Sequence, residues 1–199
     1  MIPTLDDILK TAKIHPLKVK GCYIFGSQVY GTAKRDSDWD IILVANNSVN
    51  EQEIKHPIYN IHIITPDHFQ KLATDNHIKI IECLFAPQWA ILKEFPLNFK
   101  YKEPSFRHNV SHSVSNSWVK AKKKLEVGET YIGIKSLYHS LRMVTFAIQF
   151  AETKSIDFHS TIDLWKDIIS TEPNWEVLKD KYQPLRNELL TKFRLSATK

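Results

Sequence analysis

The chain has 199 residues, 43% of them apolar and 25% charged, with five glycines, nine prolines and two cysteines. That composition can fill a hydrophobic core, and it argues against a disordered, collagen-like or disulfide-scaffolded protein. The net charge of +5 is unevenly placed. Residues 1–99 carry 10 Lys+Arg against 11 Asp+Glu, whereas residues 100–199 carry 17 against 11. A near-neutral first half therefore precedes a basic second half, which is either a lysine-rich solvated surface or the contact for a polyanionic partner.

In chain order, Thr4 and Asp7 form a variant capping box, and Leu5, Ile8, Leu9 and Ala12 recur at helical spacing. They predict a helix over residues 5–14 that ends at Pro16. Residues 19–25 read as a first strand, 27–33 as a short helical turn, 39–45 as a second strand and 46–50 as a polar turn. A third strand over 58–65 places Asn60, His62 and Ile64 on one face and Ile61 and Ile63 on the other. Helices at 66–74 and about 78–84 come next. Two long helices at 105–126 and 130–153 are separated by Gly128, and closing helices are expected at 160–170 and 174–193, where Pro184 implies a kink or break.

The first residues, Met1 to Asp7, lack the basic-then-apolar order of a secretion signal. The apolar stretch 78–92 is interrupted by Lys79, Glu82 and Pro87, so no segment reaches the roughly 18 residues of a membrane span. A soluble, cytoplasmic protein with no membrane partner is the expectation. Cys22 and Cys83 read as small core residues rather than a disulfide.

Two features carry chemistry. An apolar run leads into Gly26-Ser27 where a strand should hand over to a helix, so that backbone N–H groups and a hydroxyl converge on a point suited to phosphate. Asp38 and Asp40 sit two apart on a strand, which projects both carboxylates from one face, and such a pair can hold Mg²⁺ together with substrate phosphate. The plain alternative is a helix cap beside a solvated strand end.

The combination Gly26-Ser27, Gly31-Thr32, Ser37-Asp38-Trp39-Asp40 resembles the signature of the DNA-polymerase-β-like nucleotidyltransferase superfamily. The resemblance implies an α+β fold: a core of a small mixed sheet with helices over residues 1–99, followed by an α-helical C-terminal extension over 100–199 that packs on it. It implies Asp38 and Asp40 as ligands of Mg²⁺ (or Mn²⁺), and Gly26, Ser27 and Ser37 as contacts of a nucleoside triphosphate. Later stretches at 69–72, 80–87 and 135–142 look like motifs of the branch associated with RNA-repair ligase pathways. Lys135, His139 and Arg142 there fall at i, i+4 and i+7, a cationic stripe along one helix face that suits Lys135 and Arg142 to neutralising a triphosphate.

The third strand departs from the pattern. The superfamily normally supplies a third carboxylate on it, and this chain has Asn60 and His62 instead, which should weaken one ion of a two-metal site. His62 can serve as a general base near neutral pH, with a structural histidine as the plain alternative. Glu82, in an apolar segment, calls for a hydrogen bond or a cation such as Arg142. Trp118 followed by Lys120, Lys122, Lys123 and Lys124 is a possible RNA contact. Arg107 and His112 match the loose spacing of helical ribonucleases, and His108 and His112 a possible zinc pair; chance spacing and a surface pair are the better readings of these.

The reaction expected is transfer of a nucleoside monophosphate from a triphosphate to an acceptor hydroxyl, an RNA end first among acceptors, with release of pyrophosphate. The alternatives are a catalytically weakened nucleotide- or RNA-binding protein lacking the third carboxylate, and an antitoxin-like nucleotidyltransferase that modifies a protein partner.

Overall fold

Thr4 starts the first helix, α1 (Leu5–Ala12), by reciprocal capping. Its hydroxyl accepts the Asp7 N–H at 3.3 Å while the Asp7 carboxylate accepts the Thr4 N–H at 3.0 Å, so two N–H groups at the helix start are satisfied at once. The helix is shorter than its apolar spacing predicts because Lys13 turns left-handed, at φ 54°, and closes it. The structure, a computed structural model, describes residues 2–197 and divides into two units, one ending at Tyr101 and the other beginning at Lys102.

The first unit is built on five strands, β1 (Val19–Phe25), β2 (Trp39–Ala45), β3 (Gln52–Lys55), β4 (Tyr59–Ile64) and β5 (Ile91–Lys93), in the order β3-β4-β2-β1-β5. β2 and β4 run parallel, and the other neighbours are antiparallel. A four-residue helix, α2 (Ser27–Tyr30), follows β1 directly, and α3 (Pro66–Thr74) and α4 (Ile78–Leu84) follow β4. Phe69 and Ala73 of α3 and Ile80 and Cys83 of α4 cluster with Tyr23, Ile42 and Val44 of the sheet.

Two strands are additions to the sequence expectation. β3 is charged and largely exposed, and β5 has only three residues. Neither carries an apolar alternation, so pairing with a neighbour rather than local preference makes each a strand. Cys22 and Cys83 are buried free thiols, and burial pushes Cys22 up to about 12 and Cys83 higher still, which leaves both unreactive near neutral pH.

Phe69 is the keystone of the α3 contact. It is fully buried, stacked on Tyr23 at 5.4 Å and met edge-on by Phe95 at 5.6 Å. Phe69→Ala is expected to cost about 3–5 kcal/mol, measured as a drop in the urea midpoint with the slope of the transition unchanged.

The second unit is helical: α5 (Glu103–Glu126), α6 (Thr130–Thr153), α7 (Ile162–Ser170) and α8 (Trp175–Ser196). α5 and α6 lie close together because Gly133 has no side chain where a Cβ would strike Leu125. The buried Ser140 hydroxyl donates to the Val114 carbonyl at 2.9 Å across the same pair. Leu137, Leu141, Ile168 and Leu178 fill the center of the bundle, and Phe106 meets Phe150 and Phe193 edge-on at 5.6 and 5.5 Å. The expected break at Pro184 does not occur: α8 runs through it. Pro184 lies on the exposed side of the helix, where water can satisfy the carbonyl that loses its donor. Among the described residues, no helix is long and apolar enough to cross a membrane.

Candidate functional site

The site begins where β1 meets α2. Gly26 has φ 82° and ψ −160°, a backbone region open to glycine and almost closed to other residues. A Cβ at Gly26 would also run into the Asp40 carboxylate. Glycine is thus required twice over, and the turn lies directly against Asp40. The Val29 and Tyr30 N–H groups donate to the Gly26 carbonyl at 3.0 and 3.1 Å and the Thr32 N–H donates to the Ser27 carbonyl at 3.0 Å. The N–H groups of Ser27 and Gln28 head this turn, where a helix has no acceptors of its own to offer them. Gly26→Ala is expected to cost about 1–3 kcal/mol in backbone strain and to displace Asp40, read as a lower melting temperature together with weakened triphosphate binding.

Asp40 lies in β2, opposite Phe25 of β1 and beside Asn60 of β4. Asp38 is half-buried and precedes the strand, which starts at Trp39; the pair therefore straddles the mouth of β2 rather than lying wholly within it. The Trp39 N–H donates to the Ile58 carbonyl at 2.8 Å and pins that mouth. Ser37 shapes the loop before it: its hydroxyl accepts the Lys34 N–H at 2.8 Å and its carbonyl accepts Gln28 Nε2 at 3.1 Å.

Asn60 and His62 share the Asp40 face of the sheet, since Asn60 is in register with Asp40 and His62 with Ile42. Asn60 Nδ2 lies 3.3 Å from Asp40 Oδ1 and 3.3 Å from His62 Nε2. A carboxylate only accepts, so the amide must turn its NH₂ toward Asp40. His62 Nε2 is then the acceptor of the second contact, and the ring is neutral with its proton on Nδ1. Burial, and after it the charge of Lys79, hold His62 below its ordinary value, while Glu53, 3.8 Å from Nε2, pulls the other way. Asn60 Oδ1 is buried and has no hydrogen-bond partner among the described residues.

Sequence reasoning missed Lys79. It sits in α4, half-buried, with Nζ 4.3 Å from the center of the Phe25 ring. Burial pushes its pKa down, and Cys83, Asp40, Glu82 and Glu53 partly offset the push. The one signal was a lysine inside the apolar stretch Ile78–Leu84, which reads as an interruption rather than as a site residue. Glu82, on the same helix, accepts a buried hydrogen bond from Tyr30 Oη at 2.5 Å and so ties α4 to α2.

Lys135 and Arg142 lie on α6 of the second unit. Arg142 is 4% exposed, with its guanidinium 4.9 Å from the center of the Phe146 ring. Burial first, then the charges of Arg142, Lys135 and Lys120, push His139 well below its ordinary value, so its ring is neutral near pH 7 and only Lys135 and Arg142 of the expected cationic stripe carry charge. The lysine run on α5 is partly engaged. Lys122 and Lys124 pair with Glu126 and Glu129 at 3.7 and 2.6 Å. Trp118 packs edge-on against Trp175 at 5.3 Å with Arg186 over its ring at 5.0 Å, so it serves the bundle core. His108 and His112 stack at 6.4 Å, and among the described residues no group of three or more His, Cys, Asp or Glu is placed to hold a metal.

A glycine turn pressed against a strand-borne carboxylate, with a second carboxylate at the strand's mouth, is what β1, α2 and β2 bring together in this α+β protein. The chain belongs to the nucleotidyltransferase domain family, whose model matches residues 5–125. Domains of this family generally use divalent metal ions and transfer nucleoside monophosphates. Among solved structures, the chain is similar to a nucleotidyltransferase-like protein from Exiguobacterium sibiricum, at 12% identity and a TM-score of 0.31 over 96% of this chain and 70% of that one. No curated protein matches the chain.

Proposed function

We propose that the chain transfers a nucleoside monophosphate from a nucleoside triphosphate to an acceptor hydroxyl, an RNA end being the acceptor suited to its basic second half. The observation that supports this most is the contact between the Gly26 turn and Asp40, which sets phosphate-binding backbone beside a carboxylate. Asp38 and Asp40 would hold Mg²⁺ or Mn²⁺. The donor set fits one such ion, because both carboxylates are hard oxygen ligands and that of Asp40 lies against the Gly26 turn. The ion, when bound, offsets triphosphate charge and favours ionisation of the acceptor hydroxyl.

Gly26 and Ser27 bind the phosphates, and Ser37 holds the loop that delivers Asp38 to them. The acceptor oxygen bonds to the α-phosphorus as the bond to the bridging oxygen breaks and pyrophosphate leaves with the electron pair. His62 Nε2, which accepts from the Asn60 amide in the free protein, exchanges that contact for the acceptor hydroxyl and takes its proton. The resemblance of their stretch assigns Lys135 and Arg142 to neutralising triphosphate charge.

The test offers each triphosphate, labelled at the α-phosphate, to the protein with RNA bearing a free 3′ hydroxyl. Label on RNA that depends on a divalent ion and on Asp40 supports the proposal. Label on an added protein in place of RNA points to the antitoxin-like activity, and triphosphate binding without transfer points to a binding protein. The last of these is the second reading, and the neutral Asn60 in register with Asp40 is what favours it.

A further inference from the structure

Lys79 has no part in the roles assigned above, yet its ammonium lies on the face that carries them. It sits over Phe25 at 4.3 Å. Phe25 is the residue opposite Asp40 across β1 and β2, and its ring lies 6.0 Å from that of His62. Asp40, Glu53 and Glu82 are near enough to attract the ammonium, but among the described residues Lys79 makes no ion pair. A half-buried ammonium resting only on an aromatic face is poorly compensated for its lost hydration and gains on meeting an anion.

Charge matching identifies that anion. One divalent ion held by Asp38 and Asp40 is already balanced by those two carboxylates, so the negative charge of a triphosphate remains to be met. Asn60 and His62 are neutral and contribute none of what is missing. We propose that Lys79 binds a phosphate group of the nucleotide and supplies a fixed positive charge on the sheet face that carries Asp40. The proposal rests on the nucleotidyltransferase reading and adds to it a residue that the signature does not contain. A lysine suits the task because its compact charge on a flexible stem can leave the Phe25 ring and follow a phosphate. Charge gathers on the phosphate oxygens as pyrophosphate departs, so the same contact favours the transition state.

Inorganic tripolyphosphate is the probe, since it carries the charge of a nucleotide without a base to be recognised. Binding is measured by calorimetry in EDTA and in Mg²⁺, for the wild type, Lys79→Met, Lys79→Arg and the pair Asp38→Ala/Asp40→Ala. In EDTA, Lys79→Met is expected to bind at least about tenfold more weakly than the wild type, while Lys79→Arg stays within about threefold. The double aspartate variant binds at least as well as the wild type in EDTA, because two like charges are gone, but loses the gain that Mg²⁺ brings. Equal binding by Lys79→Met and wild type in EDTA, with the Mg²⁺ gain intact in both, overturns the role of Lys79 and leaves the nucleotidyltransferase reading standing. Absence of any Mg²⁺ gain in the wild type overturns that underlying reading instead. Should Lys79→Met fail to fold, acylation of Lys79 in the wild type is followed by mass spectrometry: protection by tripolyphosphate supports the contact, and unchanged labelling refutes it.

Discussion

Replacing Asp38 and Asp40 together with alanine is expected to abolish Mg²⁺-dependent nucleotide binding and labelled transfer while the protein stays folded. The two side chains are half-buried at the open end of β2, whereas the strand is held by its main-chain ladders to β1 and β4 and by Ile41, Leu43 and Val44, all fully buried. Removing the carboxylates therefore leaves the packing in place and takes away the charged oxygen donors of the ion. Calorimetry with a non-hydrolysable triphosphate, with and without Mg²⁺, reads the loss, and circular dichroism reads the fold. Undiminished Mg²⁺-dependent binding by the double variant would remove these residues from the site.

The largest gain is expected from Asn60→Asp. Asn60 is the residue of β4 in register with Asp40, and its amide nitrogen lies 3.3 Å from that carboxylate. An aspartate there turns the neutral neighbour into a third charged oxygen donor and a base within reach of the acceptor hydroxyl. Positioned proton transfer contributes typically about 10²–10⁴-fold, and turnover of the variant should rise within that range at saturating Mg²⁺. The substitution has a cost: without bound metal, a new carboxylate against Asp40 is a like-charge pair, so Asn60→Asp should melt lower in EDTA and recover in Mg²⁺. His62→Asp, one register step farther from Asp40, should gain less. His62→Ala should slow the wild type only if Nε2 is the working base, and turnover indifferent to all three changes would show that β4 does not limit the reaction.

Much of the first unit was legible because its burial follows simple periods. Residues 19–25 and 39–45 carry dense apolar runs, and the observed strands begin and end at the same residues. Thr4 with Asp7 announced the start of α1, although not its left-handed stop at Lys13. β3 was invisible because Gln52, Glu53 and Lys55 are all exposed, and only the pairing of Glu53 with His62 and Lys55 with Asn60 across the ladder makes the segment a strand. Pro184 ends no helix for the opposite reason: the propensity is real, but an exposed helix surface tolerates it.

At the site, the motif spacing singled out Gly26 and Asp40 without showing that they touch, and the face of Asn60 and His62 followed from strand alternation. Spacing could not reveal what depends on three-dimensional neighbours. The shared amide of Asn60 between Asp40 and His62, the Tyr30–Glu82 hydrogen bond and the place of Lys79 over Phe25 each depend on how separate elements meet in the fold.

The two outer strands also bear on how the protein behaves in crowded solution. An open sheet offers unpaired N–H and C=O groups at its margins, and another chain can extend it there. Here one margin is β3, where Glu53 and Lys55 set a negative and a positive charge along a short, exposed segment. The other is β5, only three residues long, with Lys93 drawn back to donate to the Val19 carbonyl at 2.7 Å. Neither is a good template for strand addition, so the sheet that carries the site is guarded against growing into a fibril from either side.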